Sequence, residues 1–258
     1  MPTVPPASSF HWPEGKHCAV SLSFDDGRVT QVDHGLSILD SNCVNATFYL
    51  TPPLMEQRLE QWRFVARSGH EIGNHTVTHP CTGNLEFTRT NAIEDYTLER
   101  MDAELAQANA IIEDKLGVTP RTFAYPCGGT FLGRGETAAS YIPLVARRFL
   151  AGRGYWEPYP NSPGVCDLAH LLGCSFDALP FNQVKALIDR TIDERGWLIL
   201  VGHDIRTGDW QGVDPAVLTE ICQYLNCKTD IWVDTIASVA EYVRGVRSTL
   251  GHVRKQVT

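Results

Sequence analysis

No apolar run in this chain reaches the ~20 residues that a helix needs to cross a bilayer. A membrane partner is therefore not expected. Basic residues are too few for a nucleic-acid protein. Lys and Arg number 22 against 30 Asp and Glu, a formal net charge of -8, whereas phosphate binding needs a basic face. The 8 cysteines show no Cys-x-x-Cys spacing. In a chain this long that does not suggest a disulfide scaffold, and the cysteines read as free, buried thiols. The segment from Met1 to Ser9 lacks the basic and apolar regions of a secretory signal. The chain as it stands thus reads as cytoplasmic, although a trimmed secreted form would read the same.

What is present is ample material for a core. Hydrophobic residues make up 43% of 258 positions and charged residues 20%, which suits one large α/β domain or two small ones. Residues 1–15 are Pro-rich and polar and read as a loose arm ahead of a single domain, 16–258. Strands are expected at 18–24, 44–50, 70–74, 122–125, 149–152, 169–173, 197–202 and 231–233. Helices are expected at 29–39, 55–67, 90–116, 141–148, 182–194, 214–225 and 235–246. The alternation of strand and helix gives a parallel sheet with crossover helices. Several strands are unbroken apolar runs, as strands covered on both faces are. About seven such units fit a distorted (β/α) barrel of about seven parallel strands.

The residues able to do chemistry all fall just after strands: Asp25 and Asp26, His75 and His79, the loop 126–129, and His203. In a parallel barrel those ends share one face. Two adjacent carboxylates both stay ionised only beside something positive, for which a divalent metal serves. One carboxylate can then ligate while the other takes a proton. Asp25-Asp26-Gly27 is also ordinary turn chemistry, and that reading stands beside the first. His75 and His79, four apart, can aim at one point. Two imidazoles and a carboxylate form a zinc-type set with an open position for water. Asp26 is the candidate third ligand. His17, His34, His70, His170 and His252 read as structural. Cys81 and Cys127 fall near this cluster as small buried thiols. Tyr155, Trp156 and Trp210 read either as platforms for a sugar ring or as packing.

Ser23-Phe24-Asp25-Asp26-Gly27, His75-Thr76-Val77-Thr78-His79-Pro80, a strand ending in a Pro-Gly loop, and Leu200-Val201-Gly202-His203-Asp204 resemble, in order, the motifs of the polysaccharide deacetylases. This is carbohydrate esterase family 4, the NodB-homology domain, and the resemblance runs over about residues 16–246. It implies a distorted barrel of about seven strands. It implies Asp25 as general base, His203 as general acid, and Asp26, His75 and His79 as ligands of a divalent metal. Zinc is expected, with cobalt, nickel and manganese as alternatives. It also implies the backbone N–H of Cys127 as oxyanion donor.

The sequence departs from the family pattern at two places. Ala124 stands where an arginine would hold the base, and no Asp-x-x-Asp-Trp motif is present, with Asp177 a poor substitute. Arg153 is a possible replacement for the arginine, but reads first as a solvated surface residue. The function expected is metal-dependent removal of N- or O-acetyl groups from an acylated carbohydrate. The alternatives are an amidohydrolase on a small cyclic amide and a sugar-binding protein with little turnover.

Overall fold

The structure, a computed structural model, describes residues 10–256. Its centre is strand β1, Cys18–Phe24, buried along its whole length. The strands that follow are β2 (Ala46–Leu50), β3 (Glu71–Asn74), β4 (Thr122–Ala124), β5 (Ala151–Arg153), β6 (Cys174–Ser175), β7 (Trp197–Gly202) and β8 (Ile231–Val233). They form one parallel sheet in the order β5-β4-β3-β2-β1-β7-β6. β8 pairs with the first half of β1, Cys18 to Val20, while β2 pairs with its second half, Leu22 to Phe24. The sheet curls until its ends touch. Leu171, just ahead of β6, makes a parallel bridge to Arg153, with Leu171 N donating to Gly152 O at 2.7 Å and Gly154 N to Leu171 O at 2.7 Å. This is the distorted (β/α) barrel expected.

Alternation along the strands separates two layers. Val20, Leu22 and Phe24 of β1, with Leu198 and Leu200 of β7, pack outward against the helices, among them Leu39, Trp62, Ile188 and Leu218. Ala19, Ser21 and Ser23 face inward with Trp197, Ile199 and Val201. The inward hydroxyls are satisfied: Ser23 Oγ donates to Leu200 O at 2.9 Å, and Trp197 Nε1 to Ser21 Oγ at 3.0 Å. Gly73 of β3 is required by this crowding, since a Cβ there would meet the Tyr49 ring at 2.4 Å.

Besides the single turn Pro52–Met55, the α-helices among the described residues are α1 (Leu36–Ser41), α2 (Leu59–Val65), α3 (Leu98–Leu116), α4 (Ile142–Arg148), α5 (Phe181–Glu194), α6 (Pro215–Asn226) and α7 (Ile236–Gln256). None of the described helices is long and apolar enough to cross a membrane. The helix expected over 90–116 starts only at Leu98. Thr97 caps it, its side chain accepting from Arg100 N. Ile93, which matched the helical spacing, instead sits buried in the short 3₁₀ turn Ile93–Asp95. The strand expected at 169–173 is likewise displaced. The turn Leu168–His170 and the bridging Leu171 occupy those residues, and β6 follows them.

The first nine residues of the expected arm lie outside the described residues. Of the rest of it, Trp12 is buried, stacks on Tyr242, and donates from Nε1 to Arg195 O at 3.0 Å, while His11, Glu14 and Gly15 are exposed. His70, read as structural, accepts from Ala46 N at 3.1 Å and contacts Asp40 Oδ1 at 3.0 Å.

The thiol reading needs correction. Cys81 and Cys127 form a disulfide across 46 residues, with Cα atoms 6.0 Å apart. Neither spacing nor composition marks this pair, because folding alone brings the loops after β3 and β4 together. Cys18, Cys174 and Cys222 are free and buried as expected, while Cys43 and Cys227 are exposed. For a closed loop of this length the chain-entropy model gives roughly 4 kcal/mol of stability. The double substitution Cys81→Ser/Cys127→Ser should lower the urea unfolding free energy by about that amount. A change below about 1 kcal/mol would show that the bridge constrains little.

Candidate active site

The inward pattern of each strand continues past its end. Asp25 follows Ala19, Ser21 and Ser23. His203 follows Ile199 and Val201. His75 follows Glu71 and Gly73, and Asp177 follows Ser175. Arg153, the last residue of β5, shares the inward face of Ala151. Five side chains from five strands are thereby aimed into one end of the barrel.

Asp26 leaves β1 in a left-handed turn at φ 76°. Its Oδ1 lies 3.5 Å from His75 Nε2 and 3.4 Å from His79 Nε2. Ligands bound tetrahedrally at ~2.0–2.1 Å stand about 3.3–3.4 Å apart, so the three donors are spaced for one small metal ion. They form a group whose ligand atoms all lie within 4.8 Å of one another. His75 Nδ1 is 2.9 Å from Ala124 O, a carbonyl that can only accept, so Nδ1 carries a proton and Nε2 is the ring nitrogen that faces Asp26. Burial, then the neighbouring His75, lowers the pKa of His79 to about 4 against the pull of Asp26 and Asp25, favouring the neutral ring a ligand needs. For Asp26, burial alone would raise the pKa. The hydrogen bond to His75 and the imidazoles of His75, His79 and His203 outweigh it and hold the carboxyl well below its usual range.

The loop carrying His79 is held from α3. Glu104 Oε1 accepts from Val77 N at 3.0 Å, Thr78 N at 2.6 Å and Thr78 Oγ1 at 2.8 Å. Thr76 and His79 are both left-handed, at φ 64° and 51°. With Asp26, Cys127, Trp156 and Ala178, they are six of the eight described non-glycine residues at positive φ, and all six lie on loops of this face. Such conformations cost roughly 1–3 kcal/mol each and persist only where surrounding contacts impose them. Cys127 lies in the turn Pro126–Gly128, tied by its disulfide to Cys81. His79, Cys81 and Cys127 form a second close group, but both sulfurs are used in that bond.

Arg153, read as a surface residue, is fully buried. Its Nη2 donates to Asp25 Oδ1, its Nη1 to Gly154 O at 2.9 Å, and its guanidinium lies 5.0 Å from the Tyr49 ring centre. Gly173 leaves room for it: a Cβ there would stand 2.6 Å from Arg153 Cδ. Asp177, read as a poor candidate, is also in place. Its Oδ2 accepts from His203 Nδ1 at 2.6 Å, and its Oδ1 accepts from His203 N at 2.9 Å. Burial would lower the pKa of His203, but the bond to Asp177 and the charges of Asp25, Asp177 and Asp26 raise it overall. Both partners were hidden because they sit on strands other than those a linear motif names. The inward register of β5 and β6 is the signal that finds them.

Tyr155 is buried, 5.5 Å from the His203 ring and 4.4 Å from the Trp156 ring, so it packs under the rim. Trp156 and Trp210 are 64% and 71% exposed.

Fold and site together define a parallel (β/α) barrel protein with two buried charge pairs, Arg153–Asp25 and His203–Asp177, beside a two-imidazole, one-carboxylate cluster. Residues 13–139 match the polysaccharide deacetylase family model, which bears out the resemblance to that family. It is 26% identical over 255 residues to a gellan lyase from Bacillus sp, covering 90% of this chain and 10% of that protein. It is 33% identical over 107 residues to chitin deacetylase 1 from Cryptococcus neoformans var. grubii, covering 42% of this chain and 20% of that protein. The chain thus spans a fifth or less of the length of these two relatives. Among solved structures it superposes on a putative polysaccharide deacetylase from Mycobacterium smegmatis with a TM-score of 0.70 at 20% identity, covering 93% and 95% of the two chains.

Breaking a buried ion pair strands the other charge, at a cost of about 3–5 kcal/mol. Arg153→Met should lose stability on that scale in urea unfolding. Adding Asp25→Asn should restore part of it, because the stranded carboxylate is then gone. Strict additivity of the two losses would show that the pair is not coupled.

Proposed function

We propose that the chain is a metal-dependent hydrolase that removes acetyl groups, N- or O-linked, from an acylated carbohydrate. The observation that carries this reading is that Asp25 and His203, each fixed by its own buried partner, stand at the same barrel end as the Asp26–His75–His79 group. Asp26, His75 and His79 would hold the metal, zinc by the character of the donor set. When bound, it would polarise the acyl carbonyl and ease ionisation of the attacking water.

Asp25 then takes the proton of that water, with Arg153 holding its other oxygen and fixing its aim. The backbone N–H of Cys127 donates to the acyl oxygen as negative charge develops there. His203 passes its proton to the departing nitrogen or oxygen. Asp177 on Nδ1 keeps the ring oriented and favours its charged form.

A carbohydrate substrate is supported by the two exposed indoles on the rim and by the chitin deacetylase relative. The binding-only alternative drew on the arginine missing at Ala124, and the Arg153–Asp25 pair takes away that support. The disulfide favours an oxidising compartment over the cytoplasm.

Acetate release from acetylated chito-oligosaccharides and acetylxylan, with metal content measured on the same sample, tests the reading. The wild-type protein should release acetate and carry about one metal ion, and His79→Ala should lose both. Full metal occupancy in His79→Ala would remove His79 from the ligand set. Hydrolysis of a small cyclic amide without acetate release would replace the carbohydrate assignment.

The acid role carries a sign in pH. His203 must be protonated to act, so the rate should fall as pH rises through its pKa, which lies above the ordinary ~6.5. Asp177→Asn removes the hydrogen-bonded carboxylate and should move this falling limb to lower pH. An unmoved limb would assign it to another group.

A further inference from the structure

Asp26 presents one carboxylate oxygen to the imidazoles and the other to a guanidinium. Oδ1 faces His75 and His79, while Oδ2 accepts from Arg28 Nε at 2.8 Å. Arg28 uses the rest of its fork on the far side. Nη1 donates to Asp204 Oδ2 at 2.7 Å and Nη2 to Gln211 Oε1 at 3.0 Å. Asp204 is itself fixed. Its Oδ1 accepts from Thr30 Oγ1 at 2.7 Å, its backbone N donates to Gln211 O at 2.9 Å, and its strand Asp204–Ile205 pairs with Gly212–Val213. The side chains of Asp26, Arg28 and Asp204 are only 11%, 23% and 12% exposed, so this is a partly desolvated clamp rather than a surface pair.

We propose that Arg28 is a positioning residue for the metal centre: by occupying Asp26 Oδ2, it makes Asp26 a one-oxygen ligand and leaves the remaining coordination position open for water and substrate. The proposal rests on the metal-centre reading above. A free carboxylate can turn and offer both oxygens to a metal, which would fill that position. The left-handed turn at Asp26 does not by itself prevent this, because the side chain still rotates. A guanidinium that donates to Oδ2 through Nε and is anchored through Nη1 and Nη2 on two further residues does prevent it. Lysine in its place would keep the charge but not the fork. The clamp also couples the two halves of the site, since Asp204 and Gln211 flank the loop that follows His203.

The test is cobalt(II) binding to the metal-stripped full-length protein, read as affinity and as visible absorption, whose intensity falls when a four-coordinate site gains a fifth ligand. Wild type should bind cobalt with an intense band. Arg28→Gln should bind it ~10- to 100-fold more weakly, the usual cost of losing a group that orients a ligand, and with a weaker band. Arg28→Lys should keep the fold's urea midpoint while showing the same spectral change, which a mere brace for the loop would not produce. If Arg28→Gln fails to fold, Asp204→Asn, which loosens the guanidinium from its far side, must give the spectral change. Affinity within twofold of wild type and an unchanged spectrum in Arg28→Gln and Arg28→Lys would overturn the proposal. A wild-type protein that binds no cobalt would overturn the metal-centre reading, and this proposal with it.

Discussion

The buried pair between Arg153 and Asp25 is the contact on which the rest of the site depends. Two adjacent carboxylates emerge from the end of β1, and close like charges in a buried site repel strongly. Here each is met by a guanidinium of its own, Asp25 by Arg153 and Asp26 by Arg28. The pairing divides their work. Asp25 is held with one oxygen toward Arg153, and Asp26 is turned toward the imidazoles. Without that division the two groups would compete for one proton, and neither would have a settled role.

The family pattern has been kept by contact and not by position. The resemblance places the supporting arginine at Ala124 on β4, and the structure supplies it from β5, the next strand in the sheet. With only a methyl group at Ala124 and no side chain at Gly173, the buried arginine has a path across the barrel end. His203 likewise finds its carboxylate at Asp177, beyond β6. A side chain reaching inward from one strand meets the same centre as one from its neighbour, so a barrel tolerates such exchange.

Much of this was legible in sequence. The strands Cys18–Phe24, Trp197–Gly202 and Ile231–Val233 have the bounds expected, and Trp197–Gly202, buried along its whole length, shows the continuous apolar signature of a strand covered on both faces. Asp25, Asp26, His75, His79 and His203 are brought together because the ends of parallel strands share a face. Short strands were harder. β6 has two residues, and its neighbour Leu171 belongs to the sheet by a single bridge, which no periodicity can register. Arg153 misled because charge in an irregular stretch usually means solvent. Its inward register was present in the sequence as Ala151-Gly152-Arg153, but reading it required knowing where β5 ended. The disulfide depended on two loops 46 residues apart meeting, which only the closed sheet determines.

The closure of the sheet at Arg153 and Leu171 carries a consequence for its motions. The seam of a curled sheet is where local opening is easiest, since few hydrogen bonds cross it. Here the residue on one lip of the seam is also the counter-ion of Asp25. Parting the lips would draw the guanidinium away and leave a bare carboxylate inside the barrel. The electrostatic cost of that exposed charge falls on the weakest edge of the sheet, so the same ion pair that aims the base also latches the barrel shut.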